Sequence, residues 1–194
     1  MKVSIIKYNA GNVQSVLFAL ERIGINAIVT DDIDVLKSSD KIILPGVGEA
    51  SSAMQYLKDK KLDEVIVNLT QPVLGICLGM QLMCRSSEEG NTTCLGIFDN
   101  KVRRFATEDI KVPQIGWNNI YDLKTNLYNG IKEDEYMYLV HSYYAEVNEH
   151  TIAKTNYGIK YSSSLRKNNF YGVQFHPEKS SDAGQQLLEN FIKL

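Results

Sequence analysis

The chain has 194 residues of ordinary globular composition, enough for one sizeable core and short for two, so we expect a single domain over residues 1–194. Its 21 basic and 23 acidic side chains give a formal net charge of -2, which offers no basic excess for a nucleic-acid partner. No apolar stretch approaches the ~18 residues that span a bilayer and the first residues predict a strand rather than a signal peptide, so we expect a cytoplasmic protein without a membrane partner.

The N-terminal half predicts strands that alternate with helices. The strand-like segments are rich in β-branched residues, and the helical segments have apolar residues at helical spacing. In chain order the strands are expected at residues 3–7, 25–30, 41–44 and 72–74, and the helices at 13–23, 53–57, 62–69 and from 78 onward. This order favours an α/β fold with an open, mostly parallel, doubly wound sheet and flanking helices.

The loop Pro45-Gly46-Val47-Gly48 closes the third predicted strand. Two glycines at the carboxyl end of a parallel strand allow backbone N–H groups to approach a ligand closely and to reorient. A plain turn from strand to helix would explain the same residues, so the loop by itself leaves both interpretations open.

The sequence around Cys77 predicts a sharp turn from a strand into a helix. Gly75 and Gly79 flank the cysteine and allow the helix to pack close to the strand, as in a nucleophile elbow. The free N–H groups at the start of a helix beginning at Leu78 would stabilise a thiolate there. A lone cysteine at the end of a core strand is also a common packing residue, so the elbow alone does not decide.

Beyond about Asn91 the pattern changes to strands joined by turns, with no long helix until the chain end. Strand-like segments are expected at residues 95–105, 115–123, 136–140, 157–161 and 170–175. A terminal helix would place Leu187, Leu188, Phe191 and Ile192 on one face. This half therefore predicts an antiparallel or mixed β section.

His176 and Glu178 follow the last predicted strand, where active sites of open α/β sheets collect. Pro177 disfavours helix at His176, so extended geometry would turn both side chains to one side. The pair could act as general base and orienting carboxylate. His-Pro-Glu is also an ordinary strand end, and Glu178 alone could be a surface carboxylate.

Together these residues predict covalent catalysis. Cys77 would attack a carbonyl carbon, His176 would take and return the proton, and Glu178 would hold the imidazole in one tautomer. The N–H of Leu78 and a backbone N–H of residues 46–48 are candidate donors to the oxyanion. The chemistry is an acyl transfer through a thioester.

The other two cysteines, Cys84 and Cys94, complete an odd set that lacks the spacing of a zinc site or a disulfide framework. We expect both to be structural. The sequence therefore predicts no metal and no cofactor.

Several separated motifs resemble the class I, or triad, glutamine amidotransferases. They are Gly75-Ile76-Cys77-Leu78-Gly79-Met80-Gln81, the Pro45-Gly46-Val47-Gly48 loop, and Gln174-Phe175-His176-Pro177-Glu178-Lys179-Ser180. Within that class, similarity to the glutaminase subunits of imidazole glycerol phosphate synthases is carried by Gly116-Trp117-Asn118, His141-Ser142-Tyr143-Tyr144, and Tyr8 with Gly11-Asn12. The resemblance runs from the first strand to the final helix.

The resemblance implies hydrolysis of L-glutamine to glutamate and ammonia through a γ-glutamyl thioester on Cys77. It implies that the ammonia passes to a (β/α)8-barrel cyclase subunit in a heterodimer, for use on a ribonucleotide intermediate of histidine biosynthesis. It assigns residues to three further roles. These are glutamine binding by Gly48, Gln81, Ser142 and Tyr143; oxyanion binding by Val47, after its peptide reorients, beside Leu78; and the ammonia exit or partner surface at Asn12, Tyr138 and Lys179.

Three departures from the family pattern stand near the site rather than in the triad. The family usually has Asp-Tyr-Gly at Lys7-Tyr8-Asn9, His at Gln114, and an aromatic residue near Ala50-Ser51-Ser52. Such positions lie toward the loops and the expected partner face. They leave open an alternative, a paralogue that donates ammonia to a sugar amidotransferase of a surface polysaccharide pathway.

Two other classes of function are also open: a stand-alone cysteine hydrolase or peptidase, and a catalytically silent binding subunit. A silent homologue commonly loses a triad residue, whereas Cys77, His176 and Glu178 are all present. A peptidase should cleave without a partner, which separates it from an ammonia-donating subunit.

Overall fold

A computed structural model describes residues 1–8, 11–106 and 110–194. The strands are β1 Val3–Ile6, β2 Ile28–Thr30, β3 Lys41–Leu44, β4 Val73–Ile76, β5 Ser86–Ser87, β6 Thr92–Thr93, β7 Lys101–Arg104, β8 Gln114–Ile120, β9 Glu135–His141, β10 Tyr143–Ala145, β11 Thr151–Tyr157, β12 Ile159–Lys167 and β13 Phe170–Val173. The helices are α1 Val13–Arg22, α2 Ile33–Lys37, α3 Ala50–Asp59, α4 Leu62–Val67, α5 Leu78–Met83 and α6 Ser181–Lys193.

One large sheet organises the molecule in the strand order β2-β1-β3-β4-β13-β12-β10-β7-β5-β6, with β11 paired to β12. The first five strands of this order, β2, β1, β3, β4 and β13, run parallel to one another. The next three pairings, β13 with β12, β12 with β10 and β10 with β7, are antiparallel. The predicted α/β class, with a mostly parallel sheet and an antiparallel section, is confirmed. Since β4 and β13 are adjacent and parallel, the segments that follow them meet at one edge.

Two apolar cores cover the two faces of the parallel strands. One contains residues of α3, α4 and α5, and the other contains residues of α1, α6 and β9. The parallel strands β1, β3, β4 and β13 are buried throughout, as strands covered on both faces must be. This rigid centre fixes the position of the chain at the ends of β4 and β13.

Strands β8 and β9 form a separate antiparallel hairpin, with Gln114 opposite His141. The hairpin reaches the end of β13, because the N–H of His176 donates to the carbonyl oxygen of Tyr138 at 2.9 Å. Ser180 adds a side-chain bridge, accepting from the N–H of Tyr138 and donating to the carbonyl oxygen of His176. The hairpin therefore holds the segment that carries His176.

Several predicted elements differ from the structure. The strand expected over residues 157–161 is a tight hairpin between β11 and β12, with Gly158 at a φ of 71° between them. Only Lys101–Arg104 of the segment 95–105 is a strand, and helix α2 was not predicted. The turn at Gly158 was not predicted because strand-like residues lie directly on both sides of it. Helix α2 was not predicted because it has only five residues, too few to show a helical repeat of apolar side chains.

Within the described ranges, no helix is long and apolar enough to cross a membrane. The same ranges hold no group of three or more His, Cys, Asp or Glu side chains placed to bind a metal ion. The expectation of a single domain over residues 1–194 stays a prediction.

Candidate active site

Cys77 stands on a strained turn between β4 and α5, at a φ of 52° and a ψ of -109°. A φ in this region is rare for a residue with a side chain, and such strain clusters at functional sites. The two flanking glycines are required by packing: a Cβ on Gly75 would lie 2.8 Å from main-chain atoms of residues 79 and 80, and one on Gly79 would lie 1.9 Å from the carbonyl oxygen of Leu44. The predicted elbow is therefore present.

His176 and Glu178 form a buried pair beside this turn. Nδ1 of His176 lies 2.8 Å from Oε1 of Glu178, and the two side chains are 2% and 0% exposed. The N–H of Cys77 donates to the carbonyl oxygen of Val173 at 2.8 Å, which joins the two strand ends. The three predicted catalytic residues thus follow two neighbouring strands.

The charge on His176 depends on its neighbours. Burial by itself disfavours the imidazolium, but hydrogen bonding and charge interaction with Cys77 and Glu178 outweigh it and raise the pKa of His176 to about 10. A glutamate that accepts from Nδ1–H leaves Nε2 for proton transfer. The arrangement favours a protonated imidazole that can donate to a leaving group.

Asn12 joins this group from the far side. It precedes α1 at a φ of 70° and makes no capping bond to the helix; its side-chain amide donates instead to Oε1 of Glu178. The other oxygen, Oε2, is buried with no hydrogen-bond partner in the described part of the chain. Asn12, predicted from the resemblance to lie near the partner surface, therefore contacts the carboxylate of the predicted triad.

A cavity of about 290 Å³ opens beside Cys77. Its size and mixed lining suit a small polar molecule such as an amino acid. It brings together all of the predicted oxyanion and glutamine-binding residues. The lining is Val47, Gly48, Cys77, Leu78, Gln81, Glu89, Pro113, Val140, His141, Ser142 and Tyr143.

One of the two predicted oxyanion donors is already in use, because the N–H of Leu78 donates to the carbonyl oxygen of Gly46 at 3.3 Å. On the other side of Val47, its carbonyl oxygen accepts from the N–H of Gly11 at 3.2 Å. The Gly46 carbonyl and the Val47 N–H belong to one peptide unit. Rotation of that peptide would therefore release the Leu78 N–H and redirect the Val47 N–H.

Glu89 is a cavity residue that sequence reasoning missed. Its Oε2 accepts from the N–H of Ala50 at 2.8 Å, and burial together with nearby Glu49 raises the pKa of its carboxyl despite that bond. It lies in a 3-10 turn between two very short strands. Nothing in the local sequence separates it from the neighbouring surface carboxylates.

Gln81 was predicted to bind glutamine, but its link to a second buried amide, that of Gln174, was missed. Nε2 of Gln81 donates to the carbonyl oxygen of Tyr143 and to Oε1 of Gln174, both at 2.9 Å, and Nε2 of Gln174 lies 3.6 Å from Sγ of Cys77. His141 contacts the same Tyr143 carbonyl through Nδ1 at 2.7 Å. Burial is the main cause that lowers the pKa of His141 to about 4, and proximity to His176 adds to it.

The residues where the chain departs from the family pattern occupy different surroundings. Gln114 is buried, and its Oε1 accepts from the Tyr161 hydroxyl at 2.9 Å. Lys7 is exposed, and Ala50 begins α3. Asn9 lies outside the described residues.

Neither Tyr138 nor Lys179 lines the cavity. Lys179 lines a separate depression of about 530 Å³ together with Glu178 and Trp117, and the Tyr138 ring packs edge-on against Trp117 at 5.9 Å. The hairpin beside this depression exposes large apolar side chains, with Ile115, Trp117 and Tyr136 64%, 52% and 57% exposed. Exposed apolar side chains grouped on one hairpin are typical of a protein-binding surface.

Comparisons with known proteins place this geometry in a family. The model of the glutamine amidotransferase class-I family matches residues 4–194. Imidazole glycerol phosphate synthase subunit HisH of Bacteroides fragilis is 57% identical over 196 residues, with 100% of both chains covered. The subunit of the same name from Haemophilus influenzae is 47% identical, with 100% of this chain and 98% of the relative covered. A solved structure of a glutamine amidotransferase shares the fold, with a TM-score of 0.78 at 17% identity and with 100% of this chain and 98% of that chain covered.

Proposed function

Because this chain belongs to the class-I glutamine amidotransferase family, we propose that it hydrolyses L-glutamine through a thioester on Cys77 and supplies the ammonia to a synthase. The observation that carries this proposal is the strained Cys77 at the end of β4 beside the buried pair of His176 and Glu178. A packing cysteine would need neither the strain nor the pair.

The first half of the reaction breaks the carboxamide bond of glutamine. The Cys77 thiolate attacks the side-chain carbonyl carbon, and the electron pair of the C=O bond moves to oxygen. The His176 imidazolium then gives its proton to the amide nitrogen, the C–N bond breaks, and ammonia leaves. The γ-glutamyl group is now held by Cys77 as a thioester.

The second half consumes water. Neutral His176 takes a proton from a water molecule as that water attacks the thioester carbon. The C–S bond breaks, glutamate leaves, and the thiolate and imidazolium are restored. Glu178 holds the imidazole in one tautomer throughout, and Asn12 fixes the Glu178 oxygen that accepts from it.

Substrate binding follows from the polarity of the cavity lining. Both N–H groups of the Gln81 amide are used within the protein, so its oxygen is the atom left for the substrate. We assign the α-ammonium group of glutamine to this oxygen and to the Glu89 carboxylate. Gly48, Ser142 and Tyr143 provide the remaining polar lining.

The oxyanion donors set the resting state of the enzyme. With the Gly46 carbonyl on the Leu78 N–H, a tetrahedral oxyanion would meet a carbonyl oxygen rather than two donors. Catalysis therefore needs the Gly46–Val47 peptide to rotate. We expect the isolated chain to hydrolyse glutamine slowly and a liganded partner to raise the rate; full activity of the chain alone would favour a stand-alone hydrolase.

The partner we propose is a (β/α)8-barrel cyclase subunit, in a heterodimer that makes imidazole glycerol phosphate in histidine biosynthesis. Full-length relatives at 47% and 57% identity carry the name of that synthase, and none of the compared relatives favours the sugar amidotransferase alternative. The exposed apolar hairpin, which contains Tyr138, and the nearby Lys179 form the surface that we assign to the partner and to the ammonia exit.

Cys77→Ala tests the division of labour in the complex with the cyclase. The variant should lose glutamine-dependent synthesis and keep synthesis from added ammonium salt. Cys94→Ala is the matched control, since it removes a buried thiol outside the cavity and should keep both activities. Loss of both activities in Cys77→Ala, with a folded protein, would contradict the proposal.

A further inference from the structure

The buried amides of Gln81 and Gln174 have a fixed direction. The Tyr143 carbonyl oxygen can only accept a hydrogen bond, so Gln81 must turn its nitrogen toward it. The second N–H of that nitrogen then needs an acceptor, which is Oε1 of Gln174 at 2.9 Å. Reversing the Gln174 amide would set two N–H groups against each other. Gln174 must therefore turn its own N–H group toward Cys77.

The groups around the Cys77 sulfur differ in which form of it, thiol or thiolate, they stabilise. Sγ of Cys77 lies 3.8 Å from the carbonyl oxygen of Val140, a group that favours the neutral thiol as a donor. It lies 3.6 Å from Nε2 of Gln174, a group that favours the thiolate as an acceptor. Both glutamines are at most 4% exposed, so water does not replace this donor when it is removed.

We propose that Gln174 is a positioning residue that stabilises the Cys77 thiolate by donating a hydrogen bond to its sulfur. The role in catalysis rests on the proposed glutaminase function, whereas the contact with sulfur does not. Gln81 and the Tyr143 carbonyl set the direction of the donor, so the segment that lines the glutamine cavity also orders the nucleophile. Gln174 acts through Cys77 and does not line the cavity.

Two variants test the donor directly. Gln174→Met keeps the length of the side chain without an N–H, and Gln174→Glu keeps the shape but replaces the donor with an acceptor. A hydrogen bond to a charged group is worth about tenfold or more in an equilibrium. We expect Gln174→Met to shift the pH midpoint of iodoacetamide alkylation at Cys77 upward by about one unit. Gln174→Glu should shift it further, since a second negative charge faces the sulfur.

In the complex with the cyclase, the effect of these variants on glutamine turnover should parallel their effect on alkylation. Gln174→Met should lower kcat for glutamine about tenfold with a smaller change in KM, and should leave synthesis from ammonium salt unchanged. Asn169→Asp is the matched control. Asn169 lies at the opposite end of β13 and donates to the carbonyl oxygens of Leu69 and Gln71, so its loss affects stability but not the Cys77 profile.

A measurement on the unchanged chain covers the case in which Gln174 variants do not fold. The side-chain amide proton of Gln174, followed by NMR in ¹⁵N-labelled protein, should move downfield with the same pH midpoint as Cys77 alkylation. An amide signal that ignores this midpoint, or folded variants with the wild-type alkylation profile, would overturn the proposal. Neither readout uses glutamine, so a wild-type complex that fails to turn over glutamine would refute the proposed function and leave this test intact.

Discussion

Glu178→Gln removes the carboxylate that we hold responsible for part of the charge on His176. The two side chains are almost fully buried and joined at 2.8 Å, so water cannot take over the role of the carboxylate. In the wild-type chain, Cys77 and Glu178 overcome the effect of burial and raise the pKa of His176 to about 10. The variant keeps the shape of the side chain and removes its charge.

The size of the effect follows from the strength of one hydrogen bond to a charged group. Such a bond contributes ~1.5–3 kcal/mol, and one pKa unit corresponds to ~1.36 kcal/mol, so the pKa of His176 should fall by about one to two units. A folded pKa above the ordinary 6.5 means that the imidazolium stabilises the fold fully below pH 6.5 and that this contribution is lost as the pH rises through about 10. In Glu178→Gln the loss should be complete at lower pH.

NMR titration of ¹³C-labelled histidine measures the midpoint of His176 directly, and urea unfolding between pH 6 and pH 10 follows the stability, a window set by the ordinary pKa of histidine and its raised value. Glu189→Gln is the control, because Glu189 is a partly exposed residue of α6 that pairs with Lys193. Glutamine turnover in the complex should fall by at least ~10²-fold in Glu178→Gln. An unchanged His176 midpoint in a folded Glu178→Gln chain would refute this account of the pair.

Three further outcomes follow from the packing and the cavity. Gly79→Ala should lower the free energy of unfolding in urea by about 3 kcal/mol, because its Cβ would meet the Leu44 main chain. Gly24→Ala, whose Cβ would meet no atom within 4 Å, should cost only the ~1 kcal/mol of its left-handed φ, and equal costs would contradict the packing role of Gly79. Glu89→Gln should raise KM for glutamine about tenfold with little change in kcat, and a kcat effect alone would remove Glu89 from substrate binding. Tyr8→Phe removes a buried hydroxyl that donates to the carbonyl oxygen of Pro45, in the loop of residues 45–48. It should lower the free energy of unfolding in urea by about 1–3 kcal/mol, and wild-type stability would show that this bond contributes nothing.

The elements that position the nucleophile could be predicted because glycines mark them in the local sequence. Gly75 is needed by contacts within the turn itself and Gly79 by a contact with the neighbouring strand β3, and both stand two residues from Cys77. The ends of β4 and β13 follow from strand patterns, and parallel pairing brings Cys77 and His176 together. The antiparallel section was predicted correctly because strands joined by short turns, without crossover helices, cannot pair in parallel.

The rest of the site could be predicted only in part, because the missing features are contacts between segments that are distant in the sequence. The direction of the Gln174 amide depends on Gln81 and on the Tyr143 carbonyl, and the sequence shows no sign of that link. Glu89 reaches the cavity from a short turn that resembles a surface loop. The contact of Asn12 with Glu178 joins residues 166 positions apart, and the local pattern around Asn12 predicts only the start of a helix.

The most direct test of the central claim is to trap the acyl group itself. The full chain, in complex with the cyclase, is mixed with L-glutamine, quenched in acid within the first turnovers and digested for mass spectrometry. We expect a γ-glutamyl group on the peptide that carries Cys77, absent from the peptides of Cys84 and Cys94 and lost when the quench is delayed until glutamine is exhausted. Rapid glutamate release with no acyl group on Cys77 at any time, or an acyl group on another residue, would contradict the account.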